Sequence, residues 1–240
     1  MPIRLGSILL LLLTLLYSSF ALANPPAESS PMPLSPEIIP QTDILIDVGH
    51  GGIDGGTSYK ELLEKNLNLE LARKLFQELT ERNYRVVINR TGDYALSEDN
   101  GWKKLRSRHR RDLVQRKEIV NQLKPSVMVS LHVNWASSPS ESGGVVLYQN
   151  NPESKALAKA IQLSLNDLYE QDHAPVYGKT FFLLKHSKVP SVIVEMGFIS
   201  SPQDRKRLTE EPLQKELARS IADGIVQYLQ TTDDSSPSTE

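Results

Sequence analysis

Three segments of this chain, ILIDV (44–48), SVMVSLHV (126–133) and SVIVE (191–195), are short apolar runs with few polar interruptions. A strand with one wet face alternates apolar and polar residues, so a run without that alternation suits a strand covered on both faces. Helices must then cover both sides, and helical patterns do lie between the runs. Leu67, Leu71, Leu75 and Leu79 recur at every fourth position, which predicts an amphipathic helix over about Leu63 to Glu81. A second helix is expected over about Leu105 to Leu123, with Leu113, Val120 and Leu123 facing inward. Leu157, Ile161, Leu165 and Leu168 mark a third, and Leu217, Ile221, Ile225 and Leu229 a fourth. YRVVIN (84–89), GVVLY (144–148) and TFFLL (180–184) read as further strands. The alternation predicts an α/β fold of three layers, with a twisted, largely parallel sheet of about six strands flanked by helices.

The ends of the chain read differently. Residues 1–23 carry Arg4, an apolar stretch from Ile8 to Leu16 broken by Thr14, and the small residues Ala21 and Ala23 of the segment ALA. That is the layout of a secretory signal peptide cleaved after Ala23. The competing reading is an uncleaved anchor, since Leu5 to Ala23 is nearly long enough to span a bilayer. Membrane association is expected only in that case. Residues 24–41 hold six prolines and three serines and read as a linker. Residues 231–240 read as a disordered polar tail, which leaves 42–230 as one folded domain. A secreted or otherwise extracytoplasmic location follows. The net charge of -2 gives no reason to expect nucleic acid as a partner. With no cysteine, disulfides, thiolate metal sites and cysteine nucleophiles are excluded.

In open α/β sheets, ligands bind beyond the carboxyl ends of the strands. His50 lies just past the first strand, in GHGGIDGG; His132 ends the third, in SLHVN; Glu195 ends the last, in VIVEMGF. A parallel sheet would bring all three to one rim. Glu61 and Glu64 stand at or just before the start of the helix after the glycine loop, and either could reach an ion held by His50. Both also have a simpler reading as acids favoured by a helix dipole. Two histidines and a carboxylate form a known catalytic zinc ligand set, although two strand-end histidines can equally be structural. Asp47 reads as a core polar group or as a carboxylate that orients a ligating imidazole. Asn134 reads as a turn residue or a substrate contact, and Arg116 as a helix ion-pair residue or a support for the site. His173 and His186 read as surface loop residues. His109 sits among Lys103, Lys104, Arg106, Arg108, Arg110 and Arg111, either on a solvated helix start or on a contact for an anionic polymer.

LIDVGHGGIDGG, EKNLNLELA, VSLHVN and VIVEMGFIS, in that order over nearly all of residues 43–230, resemble the zinc-dependent N-acetylmuramoyl-L-alanine amidases. The resemblance implies one zinc ion held by His50, Glu64 and His132, with Glu195 acting in catalysis. It selects Glu64 over Glu61, because Glu64 stands in the EK pair. It also implies a peptidoglycan substrate, cleaved at the amide between N-acetylmuramic acid and L-alanine. RSRHRRDLVQR and GKTFFLLKHSKVPSVIVEMGFIS are closest to the amidases of spore-cortex modification and germination. The loop between His50 and Glu64 is shorter than in many relatives. Two other readings compete: a non-catalytic peptidoglycan-binding module, and a zinc hydrolase acting on another cell-wall bond.

Overall fold

The computed structural model describes residues 41–98 and 107–233. The expected signal peptide, the linker up to residue 40, Lys103, Lys104 and Arg106 of the basic stretch, and the tail from residue 234 lie outside the described residues. Among the described residues no helix is long and apolar enough to cross a membrane.

The apolar runs become the middle of one six-stranded sheet, in the order β4-β1-β5-β8-β6-β7. β1 (Ile44–Val48) is buried along its whole length, as its lack of alternation requires. It pairs in parallel with β4 (Val86–Ile88) on one side and β5 (Val127–Asn134) on the other. β8 (Ser191–Phe198) continues the parallel set next to β5. β6 (Val145–Tyr148) runs antiparallel to β8 and carries the two-residue edge strand β7 (Val176–Tyr177). A separate small hairpin, β2 (Ser58–Tyr59) with β3 (Leu62–Leu63), lies between β1 and the first helix.

The helices are α1 (Glu64–Glu81), α2 (Arg108–Leu123), α3 (Pro152–Tyr169), α4 (Phe182–His186), α5 (Pro202–Thr209) and α6 (Glu211–Asp233). The three-layer, largely parallel α/β architecture expected from the pattern is the one observed. Two local expectations are corrected. TFFLL is not a strand: Leu183 and Leu184 are both buried while Phe181, Lys185 and His186 are exposed, and adjacent inward residues suit one helical turn rather than a pleat. The sixth strand is β7, whose two residues are both exposed and so carried no apolar signal. Helix α6 also continues to Asp233, three residues into the segment read as a tail.

The two faces of the sheet are unequally covered. Ile44, Ile46, Val48, Val129, Leu131, Val192 and Val194 share a large core with Leu71 and Leu75 of α1, Leu157 and Ile161 of α3, and Ile221 and Ile225 of α6. On the other face, Leu45 and Met128 meet Val120 of α2 and Leu183 of α4 in a much smaller cluster. Alternation places Asp47, Ser130, His132, Ile193 and Glu195 on this thinner face, with Asp47 opposite Ser130 and His132 opposite Glu195.

On the thick face, α3 and α6 meet where α6 has no side chain. A Cβ on Gly224 would stand 2.5 Å from Ile161 Cα. Gly224→Ala therefore forces the helices apart and is expected to cost roughly 1–3 kcal/mol, as overpacked cores do. Thermal unfolding measures this as a lowered midpoint, and an unchanged midpoint would refute tight packing at this crossing.

Candidate functional site

Beyond Val48 the chain turns through Gly49 into His50, whose φ of 59° lies in the left-handed region that non-glycine residues rarely adopt. Two buried arginines hold that turn. Arg116 of α2 donates to the Val48 carbonyl at 2.6 Å and to the His50 carbonyl at 2.7 Å. Arg90, just past β4 and 1% exposed, donates to the Val48 carbonyl at 3.2 Å and the Gly49 carbonyl at 2.9 Å. Lys65 Nζ donates to the Gly52 carbonyl at 2.6 Å and to Asp93 at 2.7 Å, and Asp93 accepts from the Gly52 amide at 2.8 Å. Gly49 must be small: a Cβ there would lie 2.6 Å from the His132 ring.

The held turn aims His50 at Glu64, the first residue of α1 and 3% exposed. His50 Nε2 lies 3.1 Å from Glu64 Oε1, and His132 Nδ1 lies 2.9 Å from the same oxygen. The Val133 amide donates to that oxygen at 3.0 Å, and Asn68 Nδ2 approaches it at 3.4 Å. Oε2 accepts from the Thr57 amide at 2.7 Å. Burial pushes the Glu64 carboxyl up, but the bonds from His132 and His50 more than reverse this and hold it well below the usual carboxylate range. Burial disfavours a charged His50, yet Glu64 and Asp54 together raise its pKa to about 9. Asp54 accepts from His50 Nδ1 at 3.0 Å, which leaves Nε2 turned toward Glu64.

His50, Glu64 and His132 thus offer three donor atoms within 4.8 Å of one another. Two imidazole nitrogens converging on one carboxylate oxygen are compatible with N–H donors to that oxygen or with a cation shared among the three. Nitrogen and carboxylate donors in a set of three suit zinc, whose catalytic sites use three protein ligands. The residues present fit that ion.

Glu195, half-buried, stands beside His132 across the β5–β8 ladder. Burial raises its carboxyl; His132 and His50 pull it down, and Glu64 pushes it up, for a net upward shift. A cavity of about 440 Å³ opens beside the histidines on the thin face, lined by His50, His132 and Ser130, and further along by Leu113, Phe182 and Ile193.

Of the remaining candidates, Glu61 is exposed in the turn of the β2–β3 hairpin and away from the donor group. Asp47 does not bond an imidazole; its carboxylate takes Arg116 at 2.8 Å, Ser130 and Asn89. Arg116 is more than a surface ion-pair residue, since it joins Asp47, Asp112 and the His50 turn. Asn134 is not a turn residue but the last residue of β5, and its Oδ1 accepts from the Trp135 amide at 2.7 Å. His109 is exposed, 3.8 Å from Asp54, while His186 is exposed at the end of α4 and His173 lies in a loop. Asp54, Arg90 and Asn68 were missed. Arg90 was within reach of the strand-end argument, because it follows β4 on the same rim; Asp54 and Asn68 carried no spacing signal.

The sequence profile of the family described as N-acetylmuramoyl-L-alanine amidase matches residues 44–227. The germination-specific N-acetylmuramoyl-L-alanine amidase of Bacillus subtilis is 32% identical, over 82% of this chain and 82% of that protein. The amidase LytC of the same organism is 29% identical over 86% of this chain but only 40% of its own length. Among solved structures, the CwlD amidase from Clostridioides difficile, determined in complex with the GerS lipoprotein, superposes with a TM-score of 0.74 at 31% identity, covering 79% of this chain and 99% of that one.

Asp47→Asn tests the ionic anchor. The amide keeps the shape but removes the charge facing the buried Arg116, and breaking a buried pair typically costs about 3–5 kcal/mol. Asp47's pKa is lowered: burial raises it, and Arg116 and Ser130 outweigh burial. The wild-type advantage should therefore be complete above roughly pH 4 and should vanish as the pH falls through the lowered pKa. Denaturant unfolding of both proteins across that range checks the size and the sign.

Proposed function

This chain belongs to the N-acetylmuramoyl-L-alanine amidase family, and from that premise we propose that it cuts the amide between the lactyl group of N-acetylmuramic acid and the L-alanine of peptidoglycan stem peptides, with one zinc ion held by His50, Glu64 and His132 and with Glu195 as the proton-transfer group. The observation that carries this reading is the convergence of the three donor atoms within 4.8 Å beside a carboxylate whose pKa is raised.

Bound there, zinc would supply a Lewis acid that lowers the pKa of water and stabilises the oxyanion formed when water adds to the amide. The chain's own residues supply the rest. Asp54 fixes the His50 ring by accepting from Nδ1. The Val133 and Thr57 amides fix both oxygens of Glu64. Glu195 takes a proton from the attacking water as the new C–O bond forms. It then returns that proton to the nitrogen of L-alanine as the C–N bond breaks, so one group serves as base and then as acid. Its raised pKa suits both halves of that task better than an ordinary exposed carboxylate would.

The biological setting is part of the same proposal. Residues 1–23 would export the chain, residues 42–230 would act on the wall, and the similarity to a germination-specific amidase supports a role in the spore cortex. A binding module without catalysis is disfavoured because all four key residues are present; a zinc hydrolase acting on another wall bond would share the metal group and differ in its product.

Incubating purified peptidoglycan with the zinc-loaded chain and weighing the products by mass spectrometry separates these readings. Free stem peptides beginning with L-alanine are expected. Intact wall that retains the protein would establish the binding module instead. The protein should hold close to one zinc, and His132→Ala should lose most of it; full occupancy in that variant removes His132 from the ligand set. Glu195→Gln should keep the zinc and the melting temperature while losing roughly 10²–10⁴-fold in turnover. Near-normal turnover by a folded, zinc-loaded Glu195→Gln protein would sink the assignment.

A further inference from the structure

The cavity beside the histidines has a chemistry that the amide reaction alone does not require. Its inner wall is apolar, with Leu113 on α2, Phe181, Phe182 and Leu183 at α4, and Ile193 on the sheet. Its carboxylates are already answered: Asp47 and Asp112 both face Arg116, and Asp54 faces His50. Arg110 is different. Its guanidinium lies over the ring of Phe182, 5.8 Å from the centroid, and the structure shows no ion pair between it and an acid among the described residues. An exposed cation thus rests on Phe182, a wall residue of this cavity.

We propose that the cavity takes the peptide branch of the substrate and that Arg110 is a specificity residue, which recognises the α-carboxylate of the residue that follows L-alanine. The inference rests on the amidase reading. A glycan strand continues in both directions from each muramic acid, so it must lie across a surface. The peptide is a side branch and can enter a pocket. A volume of about 440 Å³ is within the range of small-ligand sites. The cavity begins at the histidines, where the scissile amide must sit, and its apolar wall receives the methyl group of L-alanine. Two extended residues reach at most about 7 Å, comparable with the roughly 9 Å width of a round cavity of that volume. The second residue then arrives near Phe182 and the guanidinium above it. Arginine suits this role because its planar donors meet a carboxylate bidentately.

Two soluble substrates test the idea: N-acetylmuramoyl-L-alanyl-D-glutamate and its D-isoglutamine counterpart, which carries an amide in place of the α-carboxylate. The zinc-loaded wild-type chain should cleave the acid about threefold to tenfold more efficiently at low salt, the range between an exposed ion pair and a charged hydrogen bond. In Arg110→Gln the ratio of kcat/KM between the two should fall toward one, with the change carried by KM, as expected for uniform binding. Leu113→Trp, which fills the cavity from α2, should lower kcat/KM on both substrates. Equal cleavage of acid and amide by the wild type, or a ratio that survives Arg110→Gln, overturns the specificity role. Undiminished efficiency in a folded Leu113→Trp variant overturns the placement of the peptide. Cleavage of neither substrate by a chain that releases other products from whole peptidoglycan would overturn the amidase reading and this inference with it.

Discussion

Arg116 and Arg90 donate to the three successive carbonyls at the end of β1, those of Val48, Gly49 and His50. A buried guanidinium is tolerable only when its donors are met, and backbone carbonyls can meet them without adding charge. Asp47 and Asp112 balance Arg116. Among the described residues Arg90 has no such pair; burial and the neighbouring Arg116 lower its pKa to about 10, which leaves it charged at neutral pH. The arrangement stops β1 from continuing its ladder and stabilises the left-handed backbone of His50. Without that hold, the imidazole would sit on a glycine-rich loop free to swing. The ring of His50 is thus positioned through its own backbone, by side chains that do not belong to the His50–Glu64–His132 group.

The same turn explains why both residues of the EK pair matter. Glu64 begins α1 and points into the site, while Lys65 points the other way and ties the Gly52 carbonyl to Asp93. Adjacent helix residues project about 100° apart, so one dipeptide can serve the ligand group and the loop behind it. Glu61 cannot substitute, because the β2–β3 hairpin closes before α1 starts and leaves it in the solvent-facing turn.

How far this was legible in the sequence follows from what kind of information each feature carries. The central strands were plain, because burial on both faces leaves an unbroken apolar run. His50, His132 and Glu195 were placed by one rule, that strand ends of a parallel sheet share a rim, and the structure brings them there. TFFLL failed because a short apolar run looks alike in a strand and in one turn of helix. β7 failed because an exposed edge strand of two residues has no pattern to show. The choice of Glu64 over Glu61 needed the family resemblance, since at that range spacing does not say which way a hairpin turns. Arg90 and Arg116 grip backbone carbonyls, and a carbonyl is present at every position, so nothing in the sequence marks their partners.

The two glutamates of the site sit in opposed environments, and that contrast bears most directly on chemistry. Glu64 is buried, yet it is held ionised by two imidazoles and two backbone amides. Glu195 is raised by burial and by the nearby negative charge of Glu64 itself. One carboxyl is therefore held well below the usual carboxylate range, and the other is shifted upward. Strand register produces the difference: the β5–β8 ladder puts Glu195 opposite His132, while Glu64 reaches the same imidazole from the helix start. Two like residues around one histidine thus acquire opposite electrostatic surroundings from position alone.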